Sequence, residues 1–168
     1  MENYNEYENF CINISKIAGN YVLENFEGQF EIYSKDNRNN LVTEIDLNTQ
    51  KIIVEDINKT YPNHAIVGEE DKLKSLKDSE YIWVIDPIDG TTNFVNGIPN
   101  FAISIALLKD LEPIAGAIWI PWPNNEKSLI FSASKNNGSK QNTNITLHFF
   151  LKAFFNVLES VIYCVIHT

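Results

Sequence analysis

The sequence predicts an α+β or layered α/β domain, and three observations carry that expectation. Two stretches of helical periodicity come first, several short apolar strand candidates follow, and Gly-, Pro- and Asn-rich breaks separate them. The chain has 168 residues, which suits one domain with its own core. Hydrophobic residues make up 44% and charged residues 21%, the balance of a folded chain rather than a disordered one.

The first helix is expected from about Tyr4 to Phe26. Phe10, Ile14, Ile17, Ala18, Tyr21, Val22 and Phe26 recur there at helical spacing, and Gly28 offers a stop. Phe30 to Tyr33 alternates like the start of a strand, and residues 34–40 read as a polar loop. Thr43 and Asp46 have the spacing of a helix N-terminal capping box. The helix that follows places Ile53, Val54, Ile57 and Tyr61 on one face before Pro62 ends it.

Ala65-Ile66-Val67 reads as a short buried strand opening into Gly68-Glu69-Glu70. Tyr81 to Ile85 is aromatic and β-branched, a central strand expected to stop at Asp86-Pro87. Further strands are expected at Phe101–Leu108, Ile114–Ile120 and Ser128–Ala133, with turns at 109–113 and 121–125. No internal repeat is visible.

The net charge is −9 and the pI about 4.7. No Lys/Arg cluster is present, so no nucleic-acid partner is expected. Cys11 and Cys164 match no metal or redox spacing and read as reduced thiols. The polar, acidic N-terminus carries no secretory pattern, and a cytoplasmic protein is expected. His64, His148 and His167 have no ligand spacing and read as surface or incidental residues, and Lys35 as solvated.

Chemistry concentrates in the carboxylates: Asp46, Glu69-Glu70, and Asp86 with Asp89, each beside a strand or helix end. Hard cations such as Mg²⁺ take oxygen ligands of this kind. In Asp86-Pro87-Ile88-Asp89-Gly90-Thr91-Thr92, Pro87 fixes φ, and Asp86, Asp89 and the Ile88 carbonyl can address one site. Gly90 allows close approach of a ligand, and Thr91 and Thr92 add hydroxyls and backbone N–H groups. A helix beginning there would favour an anion such as phosphate. The plainer alternatives are a tight Asx-capped turn, a solvated pair at Glu69-Glu70, and a purely capping role for Asp46.

Val67 to Glu70, Trp83 to Phe94 and Gly97 to Leu107, with Leu41 to Asp46 upstream, resemble the inositol monophosphatase family over residues 4–138. The Asp86-to-Phe94 string is the most discriminating part. The resemblance implies a five-layered αβαβα sandwich, of which this chain is the N-terminal part. It implies an Mg²⁺-dependent phosphomonoesterase that uses a metal-activated water and no phosphoenzyme. Glu69, Asp86, Ile88 and Asp89 would bind metal. Glu69, Thr91 and Asp46 would be catalytic, Thr91 with Asp46 orienting the water. Glu69, Ile88, Asp89, Gly90 and Thr91 would contact the substrate. That substrate is a small phosphate ester: inositol monophosphate first, with histidinol phosphate, sugar bisphosphates and phosphonucleotides as runners-up. A homodimer is also implied.

The likeness fades at Asn136-Asn137-Gly138, which divides the chain into residues 1–138 and a divergent apolar tail, 139–168. The family's second signature, a Trp-Asp-x-Ala-Ala-Gly-like motif with a further metal ligand, has no counterpart in that tail. A membrane span there is disfavoured by His148, Lys152 and Glu159. An amphipathic helix and a truncated or frame-altered end are the other readings, the last preferred. The chain as written is then expected to show little or no phosphatase activity, and the alternative to an enzyme is a truncated paralogue that binds metal, phosphate or a partner.

Overall fold

The computed structural model describes residues 4–34, 41–68, 79–121, 128–142 and 144–146. It is a mixed α+β arrangement, as the element order led us to expect. In chain order the elements are α1 (Asn5–Asn25), β1 (Ile32–Ser34), β2 (Leu41–Thr43), α2 (Glu44–Thr60), β3 (Ala65–Val67) and β4 (Tyr81–Asp89). Then come α3 (Thr91–Val95), β5 (Ala102–Lys109), β6 (Glu112–Ile120), β7 (Leu129–Ser134), β8 (Gly138–Gln141) and β9 (Asn144–Thr146).

Strands β3 to β9 form one seven-stranded sheet in sequence order. β3 runs parallel to β4, and every later pairing is antiparallel. β1 and β2 make a separate two-stranded ribbon.

Helix α1 buries Cys11, Ile14, Ala18 and Val22, the stripe that its periodicity presents. It lies on β5, β6 and β7, while α2 lies on β4. The approach to β6 is close. A Cβ built on Gly19 would fall 2.2 Å from Trp119 Cε2, so only glycine lets helix and indole meet there. Trp83, Ile85, Ile103, Ile105, Leu107, Ala117 and Trp119 fill this core from the sheet side. The alternate row, Val67, Ile82, Val84, Ala106, Leu108 and Ala133, forms a second buried cluster, as the two-residue period of a strand requires.

Several local expectations are corrected. The first helix stops at Asn25, and the left-handed residue after it is Glu27 (φ 68) rather than Gly28. The β5–β6 turn needs only Asp110 and Leu111, both at positive φ, so Pro113 lies inside β6 opposite Leu108. A register shift at that point absorbs a residue that cannot donate to the ladder.

The acidic N-terminus also hides a buried charge. Glu8 is fully buried; its Oε1 accepts from Ser132 Oγ at 2.8 Å, and its Oε2 accepts from Ser134 Oγ at 2.6 Å and Lys140 Nζ at 2.8 Å. Residues 138–141 and 144–146 pair as the last two strands, so Lys140 reaches back to α1. The remaining tail and Cys164 lie outside the described residues. No described helix is long and apolar enough to cross a membrane.

Candidate active site

The site begins with a break in strand register. β4 and β5 pair evenly from Tyr81↔Lys109 to Asp86↔Ser104. The next pair is Asp89↔Ala102, so three steps on β4 oppose two on β5. The extra residue falls at Pro87-Ile88, where proline could not have donated to the ladder. The strand therefore continues through Pro87 to Asp89 instead of stopping at Asp86 as its sequence suggested. The bulge also resets the alternation. Ile88 joins Trp83 and Ile85 in the core under α1 and α2, although it is three residues from Ile85. Asp86 and Asp89 fall by the same alternation on the opposite side of the strand, partly buried and exposed respectively.

Immediately after Asp89 the chain reverses at Gly90, with φ +93 and ψ 35. A Cβ there would also meet the Asn100 carbonyl oxygen at 3.0 Å. Only glycine meets both conditions without strain. Gly90 caps the five-residue α3, its carbonyl accepting from Asn93 N at 2.8 Å and Phe94 N at 3.1 Å. Asn93 Nδ2 donates to the Asn100 carbonyl at 2.7 Å, tying the far side of the turn. Phe94 anchors α3 in the core against Phe26, Phe30 and Phe101.

From the other side comes the first turn of α2. Thr43 caps this helix in a full capping box: Asp46 N donates to Thr43 Oγ1 at 3.3 Å, and Thr43 N donates to Asp46 Oδ2 at 2.8 Å. The Thr43 hydroxyl also donates to Asp46 Oδ2. Asp46 Oδ1 accepts from Thr91 Oγ1 at 2.8 Å. One buried carboxylate thus caps a helix with one oxygen and holds Thr91 with the other. The two readings open for Asp46, cap and site residue, meet in the same side chain. Thr91 Oγ1 also lies 3.0 Å from the Ile88 carbonyl, a longer contact that competes for the same hydroxyl proton.

The structure therefore joins Asp46, Thr91 and the Ile88 carbonyl by hydrogen bonds and places Asp86, Asp89 and Gly90 on the same bulged segment. Thr43, the residue that holds Asp46, went unnamed as a site residue, although the capping-box spacing points to it. Glu69 lies outside the described residues; β3 brings the chain, at Gly68, toward the end of the sheet where Asp86 lies. Two carboxylates and a peptide carbonyl are an all-oxygen donor set, the chemistry a hard cation takes. Among the described residues no three acidic, His or Cys side chains converge to complete a metal cage.

A mixed sheet backed by two helices, with oxygen donors gathered where one strand ends, is the build of the inositol-phosphatase class of folds. The chain superposes on the structure of Thermotoga maritima IMPase with a TM-score of 0.73 at 31% identity, over 83% of this chain and 52% of that one. It belongs to the inositol monophosphatase family, whose sequence profile matches residues 3–155. Among curated relatives, the Nus factor SuhB of Pasteurella multocida is 37% identical over 135 residues, 80% of this chain and 49% of that protein. The fructose-1,6-bisphosphatase/inositol-1-monophosphatase of Aquifex aeolicus is 40% identical over 124 residues, 73% of this chain and 46% of that protein. The chain spans about half the length of the curated relatives it matches.

Proposed function

We propose that the chain carries the Mg²⁺- and phosphate-binding part of a phosphomonoesterase site in a cytoplasmic protein, with inositol monophosphate as the first-choice substrate. The observation that carries this reading is the Thr91 hydroxyl, held 2.8 Å from Asp46 Oδ1 beside the bulge that turns Asp86 and Asp89 to one side.

Glu69, Asp86, Asp89 and the Ile88 carbonyl are the groups that would hold Mg²⁺, which when bound polarises a phosphate and acidifies water. Thr91 donates its hydroxyl hydrogen bond to Asp46, leaving lone pairs on Oγ1 to accept a hydrogen bond from a water. That bond turns the water's own lone pair toward phosphorus for in-line attack. Asp46 cannot swing away, because Thr43 holds its other oxygen. The missing side chain at Gly90 lets phosphate oxygens approach the N–H groups of Gly90 and Thr91. Sugar bisphosphates are the alternative substrates, supported by the name of the Aquifex aeolicus relative.

A second reading, a Nus-factor-type role through a partner, is supported by the relatives named SuhB. The two separate in one set of measurements on purified protein: phosphate release from inositol 1-phosphate with Mg²⁺, and calorimetric titration with Mg²⁺. Turnover abolished by Asp86→Ala supports hydrolysis. Mg²⁺ binding that Asp86→Ala removes, without turnover, favours the second reading. Absence of both Mg²⁺ binding and turnover overturns the assignment of the metal site itself.

A further inference from the structure

His64 lies in the connection between α2 and β3, at the opposite end of β4 from Asp86 and Asp89. It was expected on the surface. The structure instead half-buries its ring in an aromatic cluster. The ring stacks on Tyr81 at 4.6 Å and 8°, and on Tyr61 at 4.9 Å and 12°; Tyr7 of α1 closes a third side at 6.1 Å. Trp83 Nε1 donates to His64 Nδ1 at 3.1 Å. Trp83 is wholly buried, so its indole N–H depends on that acceptor.

An indole N–H can only donate. His64 Nδ1 must then carry a lone pair, which requires the neutral imidazole with its proton on Nε2. Protonation would put a second N–H at Nδ1, facing the first. The bond would be lost and the indole left without an acceptor inside the core.

We propose that His64 is a proton-operated latch, fastening the α2–β3 connection to the start of β4 when neutral and releasing it when protonated. Trp83 is three residues from Asp86, so the latch grips the strand that carries the candidate site about 10 Å away. The groups around the ring do not supply a strong counter-charge. Tyr7 comes from α1, with Glu6 beside it; Tyr61 caps the end of α2; Glu80 precedes β4 and Tyr81 begins it; Lys109 ends β5. Glu80 favours the charged ring, but it is shared with Lys109 at 3.5 Å. Burial outweighs it and holds the ring below the ordinary histidine range. A depressed value means that the latch contributes its full stability above the unfolded histidine's range and loses it as pH falls through the folded value.

Nuclear magnetic resonance of the whole chain, with the Trp83 indole assigned through Trp83→Phe, tests this directly. The Trp83 Nε1–H resonance should shift together with His64 ring protonation, at a pH below that of free histidine. In parallel, the melting temperature should fall by about 2–4 °C more in the wild type than in His64→Asn between about pH 8 and pH 5. Asparagine leaves an acceptor oxygen near the place of Nδ1 but does not titrate. An indole resonance that stays fixed through the His64 titration would overturn the latch, whether or not His64→Asn folds. Equal acid losses in the two proteins would overturn it as well.

Discussion

Thr91 and Asp46, 45 residues apart in sequence, are joined by a 2.8 Å hydrogen bond that fastens α3 to the N-terminus of α2. Because Asp46 also closes the Thr43 capping box, this bond links helix stability to the geometry of the candidate site.

That linkage is measurable. Asp46→Ala removes a cap and an acceptor together and should cost about 2 kcal/mol. Thr91→Val removes only the hydroxyl and should cost about 1 kcal/mol. Denaturant unfolding of both single variants and the double variant should return a coupling of at least about 0.5 kcal/mol. Strict additivity would mean that the contact carries no energy. If the proposed function holds, Thr91→Ser keeps turnover and Thr91→Val loses it.

Gly90→Ala should destabilise the protein by about 1–2 kcal/mol through its left-handed backbone alone. The Cβ contact of 3.0 Å with the Asn100 carbonyl adds to that, since backbone on both sides must give way. Urea unfolding measures the sum. A variant as stable as the wild type would show that the turn can relax.

Gly19→Ala sets two effects against each other. Alanine is favoured over glycine in a helix by about 1 kcal/mol. Here its Cβ would overlap the rigid Trp119 ring at 2.2 Å. Overpacking of a filled core costs about 1–3 kcal/mol or more, so the net effect should be loss of stability, with altered near-ultraviolet circular dichroism from the tryptophan. A stabilised variant would contradict the close approach of α1 to β6.

Glu8 and Lys140 should respond unequally to removal. Lys140 keeps part of its side chain in solvent and can rehydrate if its partner is lost, whereas Glu8 cannot. Lys140→Met leaves a buried carboxylate with only two serine donors and should cost about 3 kcal/mol. Glu8→Gln should cost less. Thermal unfolding of the two variants ranks them, and the reverse order would show that the serines alone satisfy the carboxylate.

The sequence by itself determined what short-range chemistry can specify. The Thr43–Asp46 box, the helical stripe of α1, the aromatic strand at Tyr81–Ile85 and the order of the Asp86-to-Thr91 string were all legible, because each depends on spacings of a few residues. Tertiary structure decided the rest. Only the pairing of β4 with β5 revealed the bulge that returns Ile88 to the core and carries the strand past Pro87. Glu8 is only one residue of an acidic N-terminus until β7 and β8, more than 120 residues away, bring it three donors. His64 reads as incidental until Tyr61, Tyr81 and Trp83 close around it. Burial and proton affinity depend on groups distant in the chain, and one-dimensional spacing carries no record of which of them will meet.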